Sequence, residues 1–160
     1  MIGGNIFMKV LIAVDFSPIG REVARSGYEM AQSGGMDAVF FHCAPQASRF
    51  LEGYDIKAFI SPLSKNDQQQ IMDNAKKNLH KVMEEVILEF GKHNHTNVEE
   101  HLTQGDASEE ILKYAKNNSV NLIYLGYKSY SAIAELLIGS TAAKVVRYAP
   151  CSVLIYRPEK

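Results

Sequence analysis

The sequence predicts an α/β fold built on an open, parallel sheet, and three observations carry that expectation. Short apolar runs recur along the chain, among them KVLIAV, AVFFHC, LIYL and VLIY. These runs are apolar throughout rather than alternating, as suits strands buried on both faces. Between them lie segments whose apolar residues repeat at helical spacing. Strands that alternate with helices in this way form a parallel sheet with helices on both faces, joined by right-handed crossovers.

The elements follow in order. Lys9 to Val14 reads as the first strand. Ser17 then suits an N-cap and Pro18 the first helical position, where a missing N–H costs nothing. The helix runs to about Ser33 with an apolar stripe of Val23, Ala24, Gly27, Met30 and Ala31, and Gly34-Gly35 stops it. Ala38 to Cys43 is the second strand. Residues 44–66 hold no clear period and are expected to form a long variable loop, partly short helix, near a site. Asp67 to about Lys92 is a long helix on Ile71, Ala75, Leu79, Val82, Met83, Val86, Ile87 and Phe90. Val98–Leu102, Leu122–Leu125 and Val153–Tyr156 complete the strands. Ala107–Asn118 and Ile138 to about Tyr148 complete the helices, the last one ended by Pro150.

The 160 residues suit a single domain spanning 1–160, and such a chain buries roughly 70% of its unfolded surface without a disulfide or metal. A net charge of −1 gives no broad footprint for nucleic acid or an acidic membrane. No apolar run reaches the roughly 18 residues of a membrane span, and the first residues lack the pattern of a signal peptide. Cys43 and Cys151 stand far apart and read as free, mostly buried thiols of a reducing compartment. A cytoplasmic protein is the expectation.

The dinucleotide fingerprint, the P-loop, paired-Cys zinc spacing, H-E-x-x-H and G-x-S-x-G are all absent. His93 and His95 form an H-x-H pair that reads as a solvated helix end rather than a metal site. In open sheets ligands bind beyond the carboxyl ends of the strands, where strand order reverses. There, Gly126 directly follows a strand, and Gly139-Ser140-Thr141 opens a helix. Free N–H groups and the helix dipole make such a start an anion site. The same residues also serve as a plain turn and a helix cap.

The stretch from Leu122 to Tyr156 resembles the universal stress protein family, whose nucleotide-binding members carry G-x2-G-x9-G-[ST]. Here the first glycine is Gly126, the third is Gly139, and the hydroxyl residue is Ser140. The resemblance extends to KVLIAVDFS with Asp15, to VFFHC, to GDASEEILKYAKNNSVNLIYLG and to the APC-VLIY ending, covering about residues 8–157. Residues 1–7 then form an extension before the family's usual start. One position departs: Ser129 stands at the second glycine. A side chain there would crowd a phosphate, or cost about 1 kcal/mol if φ must be positive, while its hydroxyl would donate to phosphate.

The resemblance implies a five-stranded sheet of order 3-2-1-4-5, the adenine nucleotide alpha hydrolase-like arrangement. It implies a stress-response module that binds ATP or another adenine nucleotide, with Mg²⁺ possible. Asp15 would meet the ribose or a metal carried by the phosphates; its plain role is an acceptor at the first helix start. The backbone at Cys43 would meet the adenine edge. Gly105 would allow close approach, or simply form a turn. Gly126, Lys128, Ser129, Gly139, Ser140 and Thr141 would line the phosphates. A homodimer through Val153, Leu154, Ile155 and Tyr156 is implied, since an apolar edge strand is a template for pairing; Arg157 and Pro158 would otherwise shield it. Two alternatives stand beside this: a dimeric interaction module that binds no nucleotide, with unknown protein partners, and a weak nucleotide-hydrolysing enzyme. No catalytic residue is assigned.

Overall fold

A computed structural model describes residues 8–45, 64–91, 96–127 and 138–158. The extension 1–7, most of the 44–66 loop, the His93/His95 pair, Lys128, Ser129 and Tyr130 lie outside the described residues. Five parallel strands, β1 (Lys9–Ala13), β2 (Asp37–Ala44), β3 (Val98–Gln104), β4 (Leu122–Gly126) and β5 (Ser152–Tyr156), form one sheet ordered β3-β2-β1-β4-β5. Helices α1 (Pro18–Ser33), α2 (Lys65–Phe90), α3 (Ala107–Asn117) and α4 (Ser140–Tyr148) connect them.

The two-residue period of a strand sorts the core into two layers. Val10, Ile12, Phe40 and Tyr124 pack with Val23, Ala24 and Tyr28 of α1 and Leu79, Val82 and Val86 of α2. Leu11, Phe41, Ile123 and Leu125 pack on the other face with Ile111 and Ala115 of α3 and Ala142 and Val145 of α4. The helices that lead outward through β2 to β3 therefore cover one face, and those that lead through β4 to β5 cover the other. The faces change over at β1 and β4, which pair Ile12 with Tyr124.

Each boundary has a local cause. Ser17 caps α1 by accepting from Gly20 N at 3.0 Å, with Pro18 at the first helical position. The long helix begins at Lys65, two residues before the expected Asp67. Asp67 is its third residue, and its carboxylate accepts from Ser64 N while Ser64 Oγ accepts from Asp67 N, a reciprocal capping box. Helix α4 begins at Ser140 rather than Ile138, with Gly139 at the N-cap. Ala149 ends it in the extended conformation that a following Pro favours. Tyr28 joins the buried face of α1, where the expected stripe had Met30, which is only partly buried. Cys43 and Cys151 are both half-buried, less enclosed than expected. No described helix is long and apolar enough to cross a membrane.

Candidate functional site

Because β1 and β4 send their chains to opposite faces, a crevice opens beyond their carboxyl ends. It holds a cavity of about 220 Å³. Its walls come from Val14 and Asp15 after β1, Gly20 and Val23 of α1, and His42 and Cys43 of β2. Ala107 and Ile111 of α3, Gly126 and Tyr127 after β4, and Gly139 to Ala142 at the start of α4 close it.

Asp15 is fixed by the turn into α1. One carboxylate oxygen accepts from Ser17 N at 3.1 Å and from the Ser17 hydroxyl. That hydroxyl in turn caps α1, so the carboxylate and the helix start form one hydrogen-bonded unit. Gly20 lies against it. A Cβ there would stand 1.9 Å from the Asp15 carbonyl oxygen and 2.2 Å from Oδ1, so only glycine fits. Gly126 is less constrained: a Cβ there would meet the Val23 side chain at 3.1 Å, tight but within reach of a small shift.

The opposite wall is a helix start without a side-chain cap. Gly139 has no side chain to cap α4, and the first intrahelical bond is Ala143 N to Gly139 O at 2.9 Å. The amides of Ser140, Thr141 and Ala142 thus have no intrahelical acceptor, and all three residues face the cavity. The other described helices each carry a side-chain cap: Ser17 on α1, Ser64 on α2 and Asp106 on α3. Gly139 itself donates to Tyr127 O at 2.9 Å, which ties the helix start to the end of β4.

His42 supplies a third polar wall. Its Nδ1 lies 2.7 Å from Val14 O, and its ring lies tilted against Phe16, with centroids 4.1 Å apart. Burial pushes the imidazole below its ordinary pKa, against the opposing pull of the Val14 carbonyl and the Asp15 charge. The ring is therefore neutral near pH 7, with Nδ1–H donating to Val14 and Nε2 left as an acceptor.

Of the residues singled out from sequence, Asp15, Cys43, Gly126, Gly139, Ser140 and Thr141 are brought around one cavity. Gly105 is not among the residues that line it. Its amide donates to Ala44 O at 3.0 Å, and its φ of +153° is a conformation that favours glycine. Asp106 caps α3 as expected, accepting from Glu109 N. His42, Gly20 and Tyr127 were not singled out as ligand-site residues. The one available signal for His42 was a polar ring inside the apolar run AVFFHC. Among the described lining residues, Asp15 is the only carboxylate, and there is no Lys or Arg. Among the described residues no group of three or more His, Cys, Asp or Glu side chains is arranged to hold a metal ion.

A model of the universal stress protein family matches residues 7–157. The universal stress protein YxiE of Bacillus subtilis is 28% identical over 160 residues, covering 95% of this chain and 100% of its own. The solved universal stress protein UspA of Lactobacillus plantarum is 20% identical, with a TM-score of 0.73 over 94% of this chain and 98% of its own. Two further solved relatives share the fold. One, in complex with cAMP, is 19% identical with a TM-score of 0.57, over 96% of this chain and 99% of its own. The other, from Arabidopsis thaliana with AMP bound, is 16% identical with a TM-score of 0.59, over 95% of this chain and 92% of its own.

Proposed function

The chain belongs to the universal stress protein family, and from that premise we propose that its cleft binds an adenine nucleotide, ATP first among them. The observation that carries this reading is the start of α4. Uncapped amides at Ser140, Thr141 and Ala142 open into the cavity opposite Asp15. Such a start attracts phosphate through its N–H groups and its dipole together. Relatives of the same fold solved with cAMP and AMP add support for the adenine class.

In this reading the phosphates lie on Gly126 and Gly139 to Thr141, with Lys128 and Ser129 on the connecting segment. The ribose meets Asp15, and the base lies toward the β2 end at Cys43. Magnesium would arrive with the phosphates and meet the protein at Asp15, since no described cluster is arranged to hold it alone. We read the role as binding rather than turnover, with Asp15 the one described carboxylate of the wall. The family premise makes this a stress-response module. Two cysteines with no disulfide between them fit a reducing, cytoplasmic setting.

We also infer a homodimer. β5 is a sheet edge whose Val153, Leu154, Ile155 and Tyr156 are all half-buried in the single chain. An isologous pairing would satisfy both the edge hydrogen bonds and this apolar surface.

The test is mass spectrometry of the small molecules released by heat from freshly purified protein. Near-stoichiometric ATP, ADP or AMP is expected. An empty release, followed by no calorimetric signal with millimolar ATP and Mg²⁺, would sink the nucleotide reading. It would favour the dimeric interaction module instead, the reading that Ser129 at the motif's second glycine supports.

A further inference from the structure

The cavity wall has the polar groups to receive a nucleotide, but its described part has no cation to match a phosphate chain. The nearest candidate on α4, Lys144, is already engaged on α3, at 3.0 Å from Glu109 and 3.7 Å from Asp106. The end of β5 offers another. Gly126 and Tyr156 are partners in adjacent parallel strands, so Tyr127 and Arg157 leave the sheet side by side at its ligand-binding end. Tyr127 N donates to Tyr156 O at 2.7 Å, and Tyr127 O accepts from Gly139 N at 2.9 Å. The Arg157 guanidinium carbon sits 4.9 Å from the centre of the Tyr127 ring. Arg157 is thus seated on the residue that hydrogen-bonds the uncapped start of α4.

The geometry points to Arg157 as the residue that reads the phosphate chain, setting the preference among AMP, ADP and ATP. The inference rests on the nucleotide reading above and deepens it. A planar guanidinium matches phosphate with two parallel N–H donors, and it stays charged at every physiological pH. Its resting place is the ring of the half-buried Tyr127, a weaker partner than a phosphate oxygen. In this proposal the guanidinium exchanges the ring face for phosphate oxygens when the ligand binds. The Tyr127 ring gives the exposed cation a resting contact on a residue that lines the cavity.

The experiment is calorimetric titration of the full chain with adenosine, AMP, ADP and ATP, comparing wild type with Arg157→Gln and Arg157→Lys. Arg157 is exposed, so the fold is retained, and a thermal melt of each variant checks this. Arg157→Gln is expected to leave adenosine affinity unchanged and to weaken ATP about tenfold, the scale of losing hydrogen bonds to a charged group. AMP should suffer less than ATP, and Arg157→Lys should recover part of the loss. An equal loss for all four ligands would reduce Arg157 to a structural prop and overturn the inference. So would unchanged affinities for all four. If wild type binds none of them, the nucleotide reading itself fails, and the inference fails with it.

Discussion

Gly20 is packed so closely on Asp15 that an added Cβ would stand 1.9 Å from the Asp15 carbonyl oxygen and 2.2 Å from its carboxylate. The first of these is backbone, which cannot swing aside. Gly20→Ala therefore pits a helix-propensity gain of about 1 kcal/mol against a clash that must move the turn. The clash wins. Urea unfolding should show a net loss of about 2 kcal/mol, the scale of overpacking, with weaker nucleotide binding as Asp15 is displaced. A stabilised variant would show that the turn relaxes freely.

Gly139 sits at the N-cap of α4 with φ −60° and ψ 150°, a conformation any residue adopts. Gly139→Asp supplies the missing cap and a negative charge at the helix start. Stability should hold or rise by a few tenths of a kcal/mol. ATP affinity should fall at least tenfold, because the carboxylate occupies the amides and repels phosphate. A variant that melts no lower than wild type yet binds ATP as well would remove α4 from the ligand site.

His42 makes stability depend on pH in a defined sense. Its folded pKa lies below the ordinary imidazole value of about 6.5, so the unfolded chain takes up the proton first. The stabilisation is complete above that pH and is lost as pH falls toward the lower folded value. His101, also lowered by burial, between Phe41 and Tyr114, acts with the same sign. Unfolding free energy should drop between pH 7.5 and 5.5, and His42→Gln should flatten, without abolishing, that slope. A slope untouched by the substitution would mean that His42 titrates alike in both states.

β5 pairs with β4 on one side only. Ile155→Lys places a charge on that edge, a common means of blocking strand pairing. Light scattering after size exclusion should show a dimer for wild type and a monomer for the variant, with far-ultraviolet circular dichroism retained. A wild-type monomer, or a variant that stays dimeric, would move any interface away from β5.

Most of the fold was legible because its causes are local. The start of α1 follows from Ser17-Pro18 and the end of α4 from Pro150, both within a residue or two of the bond that matters. The start of α2 was misread for an instructive reason. Asp67 suits a first helical turn, but its carboxylate reaches back to Ser64, and only the S-x-x-D spacing hints at that pair. Tyr28 was passed over because its burial depends on contacts from distant elements, Phe40 on β2 and Phe90 on α2.

The candidate site divides the same way. Gly126, Gly139 and Ser140 carry a spacing that can be read along the chain. Gly20 does not, because its need for glycine arises from the path of Asp15 beneath it. Tyr127 follows β4 directly in the sequence, but its bonds to Tyr156 and Gly139 appear only in three dimensions.

By itself the sequence determined which segments become strands and helices and where each stops. Apolar period and capping chemistry act over a few residues and need no distant partner. The family resemblance gave the strand order 3-2-1-4-5, but physically it is tertiary structure that decides which strands become neighbours. Lys9 N donates to Asn121 Oδ1 at 2.8 Å across 112 residues, and beside it β1 pairs with β4. Backbone hydrogen bonds are nearly blind to side-chain identity, so no local pattern selects that pairing. It is selected by burying both sheet faces at once, and the cleft between Asp15 and Gly139 is the consequence.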